Sequence, residues 1–239
     1  MDEKTPPAPP KRKSRGCLGM VMTFFVLGLL GALALAFYLI TQPQELGDID
    51  GARAASALAP VRDLKTVVQN AIDRGYSVTL TEEEINGYLA RTLLARQAGL
   101  LSEHVSLDGV WIRLEPGRAE IIMERRILGR PFTVSSYVRI EQTEELNGHT
   151  RTHIVPNGGP YVEGVKWNRG GRFGRLVVPE GFLHLTTPAY KALAEMYGHE
   201  TSDGWESELQ FGAMSRVRIE DGQLTLEPIG SEQGVPGKL

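Results

Sequence analysis

The most extended hydrophobic stretch of the chain lies near its N terminus, where residues 18–40 contain no charged side chain. At about 1.5 Å per residue these residues form a helix of roughly 35 Å, which can cross a hydrocarbon core of about 30 Å. The pattern therefore predicts a transmembrane helix over residues 17–41. Ala34-Leu35-Ala36 resembles a cleavage site, but the run exceeds the ~7–15 apolar residues of a signal peptide, so we expect an uncleaved signal anchor.

The flanks of this run predict its orientation. Residues 1–16 are rich in proline and hold five basic and two acidic side chains, whereas residues 42–45 read Gln-Pro-Gln-Glu. Because basic residues are retained on the cytoplasmic side of a membrane, we expect residues 1–16 to be a disordered cytoplasmic tail. The rest of the chain, from residue 45 onward, is then expected outside the cytoplasm.

Helical spacing of apolar residues resumes after a polar segment, residues 42–57, which we interpret as a linker. Between Leu58 and Ile72 the apolar positions recur on one helical face, and Gly75 provides a stop. The pattern predicts an amphipathic helix that packs by one face.

A second helix is predicted by its N-terminal signals. Thr81 is an N-cap candidate and Glu84 stands three residues later, which together make a capping box. Leu80 and Ile85 occupy the positions of a hydrophobic staple around that cap. We expect this helix to end at Gly99.

From Val105 onward the apolar positions alternate, which is typical of strands with one buried face. Asp108-Gly109 interrupts the alternation and predicts a β-bulge. Turn signals separate the successive strands at Pro116-Gly117, Gly129, Asn147-Gly148 and Asp221-Gly222, the last with type I′ character. The pattern predicts an antiparallel meander that ends in a hairpin.

Together these elements predict an α+β protein, with a single N-terminal transmembrane helix followed by a curved antiparallel sheet packed on one or two long helices. We expect residues 58–229 to form the extracytoplasmic α+β domain and residues 230–239 to be a flexible tail.

The distribution of charge and cysteine restricts the class of protein. Of 26 basic and 29 acidic side chains in the chain, residues 45–239 hold 21 and 27, a net charge of −6 that argues against nucleic-acid binding. Cys17 is the one cysteine, and no Asn-x-Ser/Thr site is present. Because secreted eukaryotic domains usually carry disulfides or glycans, we expect a bacterial protein of the inner, cytoplasmic membrane.

No catalytic or metal-binding motif is found. His149 and His153 share one face of a predicted strand, but about 13 Å separates them, too far for one metal ion. The sequence contains no Gly-x-Ser-x-Gly elbow and no His-Glu-x-x-His motif. We therefore expect no enzymatic activity, no metal site and no cofactor.

A glycine-rich block over residues 156–181 contains one candidate for anion binding. Arg169, Arg172 and Arg175 lie among glycines whose backbone N–H groups could form an anion nest. The other interpretation is a structured bulge or loop punctuated by glycine.

Two segments carry a resemblance to a known group of proteins. The stretch Leu-Thr-Glu-Glu-Glu-Ile-Asn-Gly-Tyr-Leu at residues 80–89, the long meander, and the final Ile-x-Asp-Gly-x-Leu-x-Leu-x-Pro hairpin at residues 219–228 are similar to membrane-anchored bacterial envelope domains of the tubular lipid-binding (TULIP-like) kind. The resemblance implies a long helix cradled by a strongly curved sheet, with an apolar groove that accepts acyl chains.

A groove of this kind would be walled by the apolar faces of the second predicted helix and the first strands. Its candidate lining residues are Ile85, Tyr88, Leu89, Leu93, Val110, Ile112, Ile121 and Met123. The same residues fit an ordinary hydrophobic core. The expected function is accordingly a membrane-anchored domain that binds lipid or another hydrophobic ligand; the alternative is a non-catalytic scaffold or assembly partner of an envelope protein complex.

Overall fold

The computed structural model describes residues 17–49, 62–94, 105–144, 150–185 and 214–229. The chain divides into two compact units, Met1–Tyr38 and Leu39–Leu239. The predicted tail over residues 1–16, the predicted tail over 230–239, the Asn147-Gly148 turn and the helix stop at Gly99 lie outside the described residues.

The predicted N-terminal helix is confirmed as α1, Cys17–Thr41. Within it, Gly19–Thr41 is long and apolar enough to span a membrane, with a mean hydropathy of 2.4. Its side chains are exposed rather than packed in a protein core.

The second unit is mixed α+β with more strand than helix. Its elements, in chain order, are α2 (Leu64–Arg74), β1 (Val78–Thr81), α3 (Glu82–Leu94), β2 (Val105–Glu115), β3 (Arg118–Ile127), β4 (Arg130–Glu144), β5 (Thr150–Pro156), β6 (Arg169–Phe173), β7 (Leu176–Pro179), a 3₁₀ helix (Glu180–Leu185), β8 (Met214–Glu220) and β9 (Gln223–Pro228).

Two antiparallel sheets organise these strands. The larger has the order β2-β3-β4-β6-β7, with β5 also paired to β4, and the smaller has the order β1-β9-β8. β4 is long enough to pair with β6 through its first half and with β5 through its second half. The predicted antiparallel meander and closing hairpin are thus confirmed.

The helix caps follow the sequence signals. The Asp63 side chain accepts from the Lys65 N–H and begins α2, and Gly75 ends it with φ 64°. The apolar periodicity had predicted an earlier start, at residues outside the described part. At α3 the Glu84 N–H donates to Thr81 Oγ1 over 3.2 Å, and the Thr81 N–H donates to Glu84 Oε2 over 3.0 Å. This reciprocal pair confirms the capping box.

Strand irregularities agree with the sequence at one site and differ at two. The register of β2 and β3 shifts between Leu107 and Gly109, which confirms the predicted bulge. The β8–β9 turn has a positive φ at Gly222 only, so the predicted type I′ turn at Asp221-Gly222 is wrong, because that type needs two positive φ angles. The glycine-rich block contains two regular strands, β6 and β7.

Both faces of the larger sheet are covered. One face, which includes Val110 and Met123, packs toward α3, and we call it the helix face. The opposite face contains Trp111 and Ile122, which pack with Leu46 and with Ile49 of the entry segment, defined as residues 39–49. Of the predicted linker over residues 42–57, the described part is therefore packed on the sheet.

Candidate functional site

The predicted groove residues lie on the helix face and in α3. Ile85 is buried in one hydrophobic cluster, and Val110 and Met123 are buried in a second. Partly buried residues pack against these clusters, namely Tyr88, Leu89, Ile112 and Ile121. The side chain of Leu93 is outside the described set. The sequence thus placed these residues on one shared face, and an open groove there stays a prediction.

A cavity of about 530 Å³ lies elsewhere in the second unit. Its lining is Asp48, Thr81, Glu82, Glu83, Arg113, Leu114, Glu115, Asp221 and Gly222. Five carboxylates and one guanidinium make this cavity polar and acidic, which does not suit an acyl chain. Among the described residues, no group of three or more His, Cys, Asp or Glu side chains could hold a metal ion.

Burial and pairing perturb two carboxyl groups in this cavity. Burial raises the pKa of Glu82, whose Oε2 accepts from the Leu114 N–H over 2.7 Å. Hydrogen bonding to Arg113 lowers the pKa of Asp48. Glu82 thereby satisfies a backbone group of the edge strand β2, and this hydrogen bond lowers its pKa, partly offsetting the effect of burial.

The face opposite the helices holds a buried charge network that sequence reasoning missed. Glu120 on β3 is fully buried and pairs with Arg113 Nη1 at 2.8 Å and Arg172 Nε at 3.3 Å. Ser135 Oγ donates to Glu120 Oε1 over 2.5 Å, and Arg172 Nε donates to the Tyr137 hydroxyl over 2.8 Å. Strands β2, β3, β4 and β6 are therefore joined through one carboxylate.

Arg113 also fastens the entry segment to the sheet. Its guanidinium contacts Asp48 at 2.6 Å and 2.9 Å in a bidentate pair, while its third nitrogen contacts Glu120. Glu120 and Glu124 alternate with the apolar residues of the helix face, a pattern typical of a solvent-facing side, and no local signal pointed to a buried one. Residues 44–49 and Arg172 of β6, which are distant in sequence from β3, cover this face.

The three arginines predicted as an anion nest have separate surroundings. Arg172 pairs with Glu120, and Arg175 pairs with Glu45 at 2.8 Å. Arg169 lies on β6 beside the Gly158 backbone, and its Nε is buried without a hydrogen-bond partner. Because two of the three cations are engaged with different carboxylates, the structure gives no positive support to a shared anion site.

One loop presents apolar side chains to solvent. In the Trp167 loop, residues 160–168, the backbone is closed by the Pro160–Asn168 bridge and by the Tyr161 N–H donating to the Trp167 carbonyl over 2.9 Å. Trp167 is 72% exposed, and Val162 is 63% exposed. Further exposed apolar side chains occur at Val165 and at Phe182 of the adjoining 3₁₀ helix. The loop is thus closed by its own backbone contacts and presents an apolar surface.

The entry segment contacts one particular end of the larger sheet. The Arg175 N–H donates to the Leu39 carbonyl over 3.0 Å, and the Gln44 N–H donates to Thr133 Oγ1 over 2.9 Å. We call this the Leu39 end of the sheet. The Trp167 loop adjoins the opposite end of β6, roughly 16 Å away for a strand of five residues.

Comparison with known proteins assigns the chain to no family. No protein family model matches the chain, and searches of curated proteins and of solved structures give no significant match.

Proposed function

We propose that the chain is a single-pass protein of the bacterial inner membrane whose second unit is a non-catalytic docking domain for an envelope protein complex. The observation that carries the proposal is the Trp167 loop. Monomeric proteins rarely keep an apolar surface of several large side chains in water without a use for it.

The composition of this loop favours a protein partner. Trp167, Tyr161 and two valines lie beside the charged residues Glu163 and Lys166. An aromatic and aliphatic centre with a polar rim is typical of protein–protein interfaces. The loop also lies at the opposite end of β6 from the Leu39 end, so it is separate from the place where the entry segment meets the sheet.

Placement in the membrane is supported by α1 and by the basic residues before it. If the N terminus is cytoplasmic, protease added to spheroplasts digests the second unit and leaves a short α1-containing fragment. Protection of the second unit in intact spheroplasts would contradict the proposed orientation.

The docking proposal is tested by site-specific photocrosslinking in the cells that make the protein. A benzophenone amino acid replaces Val162 in the loop or, as the control, exposed Lys65 on α2. We expect a discrete crosslinked product at Val162 that is absent at Lys65 and is lost with Trp167→Ser. Identical products at the two positions, or no effect of Trp167→Ser, would overturn the proposal.

Binding of a lipid or another hydrophobic ligand on the helix face is a second proposal, together with kinship to TULIP-like domains. It is supported by the shared face of the candidate residues and by the position of Leu89, which packs against both apolar clusters. A ligand there needs α3 to separate from β2 and β3. Native mass spectrometry of the detergent-solubilised chain should then show a stoichiometric lipid that Leu89→Trp removes; equal lipid in both proteins would contradict it.

A further inference from the structure

The turn between β3 and β4 has an unusual residue at its tip. Leu128 has φ 50° and Gly129 has φ 78°, so both turn residues lie in the left-handed region. Asparagine, aspartate or glycine are the residues that tolerate the first of these positions, and a bulky aliphatic side chain is disfavoured there. Leu128 is also 77% exposed, so no packing within the described residues compensates for the unfavourable backbone.

The surroundings of this tip are basic and apolar. Residues 125–130 read Arg-Arg-Ile-Leu-Gly-Arg, with no acidic side chain. Ile127 is exposed beside Leu128. Arg126 pairs with Asp108 of β2 at 2.9 Å. Arg125 is half-buried, with its Nη2 4.0 Å from Met123 Sδ. The exposed guanidinium of Arg130 is therefore the cation that the tip offers to an anion. Exposed aliphatic residues flanked by arginine match the surface of an anionic bilayer, where the side chains enter the headgroup region and the guanidiniums contact phosphates.

The tip projects from the Leu39 end of the sheet. Thr133, which binds the entry segment, is three residues from Arg130 along β4, so the turn lies roughly 10 Å beyond that contact. The entry segment then runs from Thr133 to Arg113, where Asp48 is held. Thr133 pairs with Glu124, four residues closer to the turn than Glu120, which pairs with Arg113. The entry segment therefore runs away from the turn as it crosses the sheet, and it reaches the sheet at the end where the tip lies.

We infer that the tip of the β3–β4 hairpin, Ile127 and Leu128 with Arg130, is a second membrane contact that docks on the surface of the bilayer in which α1 is anchored. The inference rests on the proposed single-pass anchorage. The hairpin would fix the orientation of the second unit on the membrane, so that the Trp167 loop at the opposite end of β6 faces away from the lipid.

The test uses the full chain with Cys17→Ser in nanodiscs of zwitterionic lipid with or without anionic phosphatidylglycerol. Single cysteines carry an environment-sensitive NBD label at three positions, Leu128→Cys at the tip, Pro116→Cys in the turn at the other end of β3, and Val26→Cys in α1. A nitroxide on the lipid headgroup quenches labels near the membrane surface, and a nitroxide deep in the acyl chain quenches labels in the core.

We expect headgroup quenching at position 128 to be at least two-fold stronger than at position 116, and to fall when phosphatidylglycerol is omitted. Position 26 should respond to the deep quencher. Loss of the deep signal at 26 would overturn the membrane anchorage itself, whereas a normal signal at 26 with equal quenching at 128 and 116 overturns only the hairpin contact.

A second variant separates membrane contact from folding. Leu128→Asn places a residue suited to the left-handed turn, so the variant should unfold at the same or a higher temperature than the parent. With the label at Ile127→Cys, we expect Leu128→Asn to reduce headgroup quenching at least two-fold. Unchanged quenching in a stably folded Leu128→Asn variant would refute a role for the leucine side chain.

Discussion

Glu120 offers the sharpest test of how the second unit is held together. Substitution by glutamine keeps the shape of the side chain and the acceptor for Ser135, but it removes the charge that two guanidiniums share. Removing one partner from a buried ion pair costs about 3–5 kcal/mol. The lower end applies here, because Arg113 keeps its bidentate contact with Asp48.

We therefore expect Glu120→Gln to lower the free energy of unfolding by about 3 kcal/mol, which for a domain of this size lowers the melting temperature by roughly 6–12 °C. The assay is urea and thermal unfolding of the full chain in detergent, with Trp167 and Trp205 replaced by phenylalanine in parent and variant alike, so that the fluorescence observed is that of buried Trp111. Fluorescence of this residue reports the face opposite the helices directly, because Trp111 packs there with the entry segment.

The matched control is Glu227→Gln, which breaks a surface pair with Arg218 at 2.7 Å. Arg218 is half exposed, so water replaces the lost contact and the expected loss is below about 1 kcal/mol. If Glu120→Gln destabilises the protein no more than Glu227→Gln does, the charge of Glu120 does not stabilise the pairing of these strands.

Three further predictions concern single contacts. Asn86 is fully buried and exchanges hydrogen bonds of 2.8 Å and 2.7 Å with the backbone of Ile112 on the edge strand β2. Asn86→Ala leaves both backbone groups unpaired and should lower the free energy of unfolding in urea by about 2–4 kcal/mol. A loss below about 0.5 kcal/mol, the size of a surface effect, would contradict this role. The pKa of Asp48 is lowered by Arg113 from its ordinary value of 3.8. This pair therefore stabilises the fold above about pH 4 and ceases to do so as the pH falls through the lower folded-state pKa; the stability difference between the parent and Asp48→Asn should shrink below pH 4, and a difference independent of pH would exclude the pair as its source. Gly171→Ala would place a Cβ against the β4 backbone and should separate β6 from β4, with a lower melting temperature and faster proteolysis of the β6–β7 region; an unchanged melting temperature would contradict the close approach of these strands.

Local patterns in the sequence determined the elements that depend on neighbouring residues. The length and apolarity of residues 18–40 predicted α1, because a helix of this kind is defined by its own side chains. The capping box at Thr81 and Glu84 was likewise predicted, since its hydrogen bonds join residues three positions apart. The bulge at Asp108-Gly109 was predicted from the break in alternation along β2 itself. Helical spacing and strand alternation likewise placed the candidate groove residues on shared faces, because both patterns depend only on the local backbone period.

Tertiary structure decided which polar residues are buried. Glu120 alternates with apolar neighbours as a solvent-facing residue would, but Arg113 of β2 and Arg172 of β6 pair with it, and Asp48, 65 positions from Arg113, holds Arg113 in turn. The sequence did not predict β6 and β7, because the glycine-rich block has no strand-like alternation. β6 forms by pairing with β4, where Gly171 lets the two backbones approach closely. The placement of the hairpin tip and the Trp167 loop at opposite ends of the sheet also depends on contacts distant in sequence. Periodicity predicts which residues of one helix or strand share a face. Whether a charged residue on that face is buried, and which end of the sheet an exposed loop lies at, depends on contacts with segments distant in sequence.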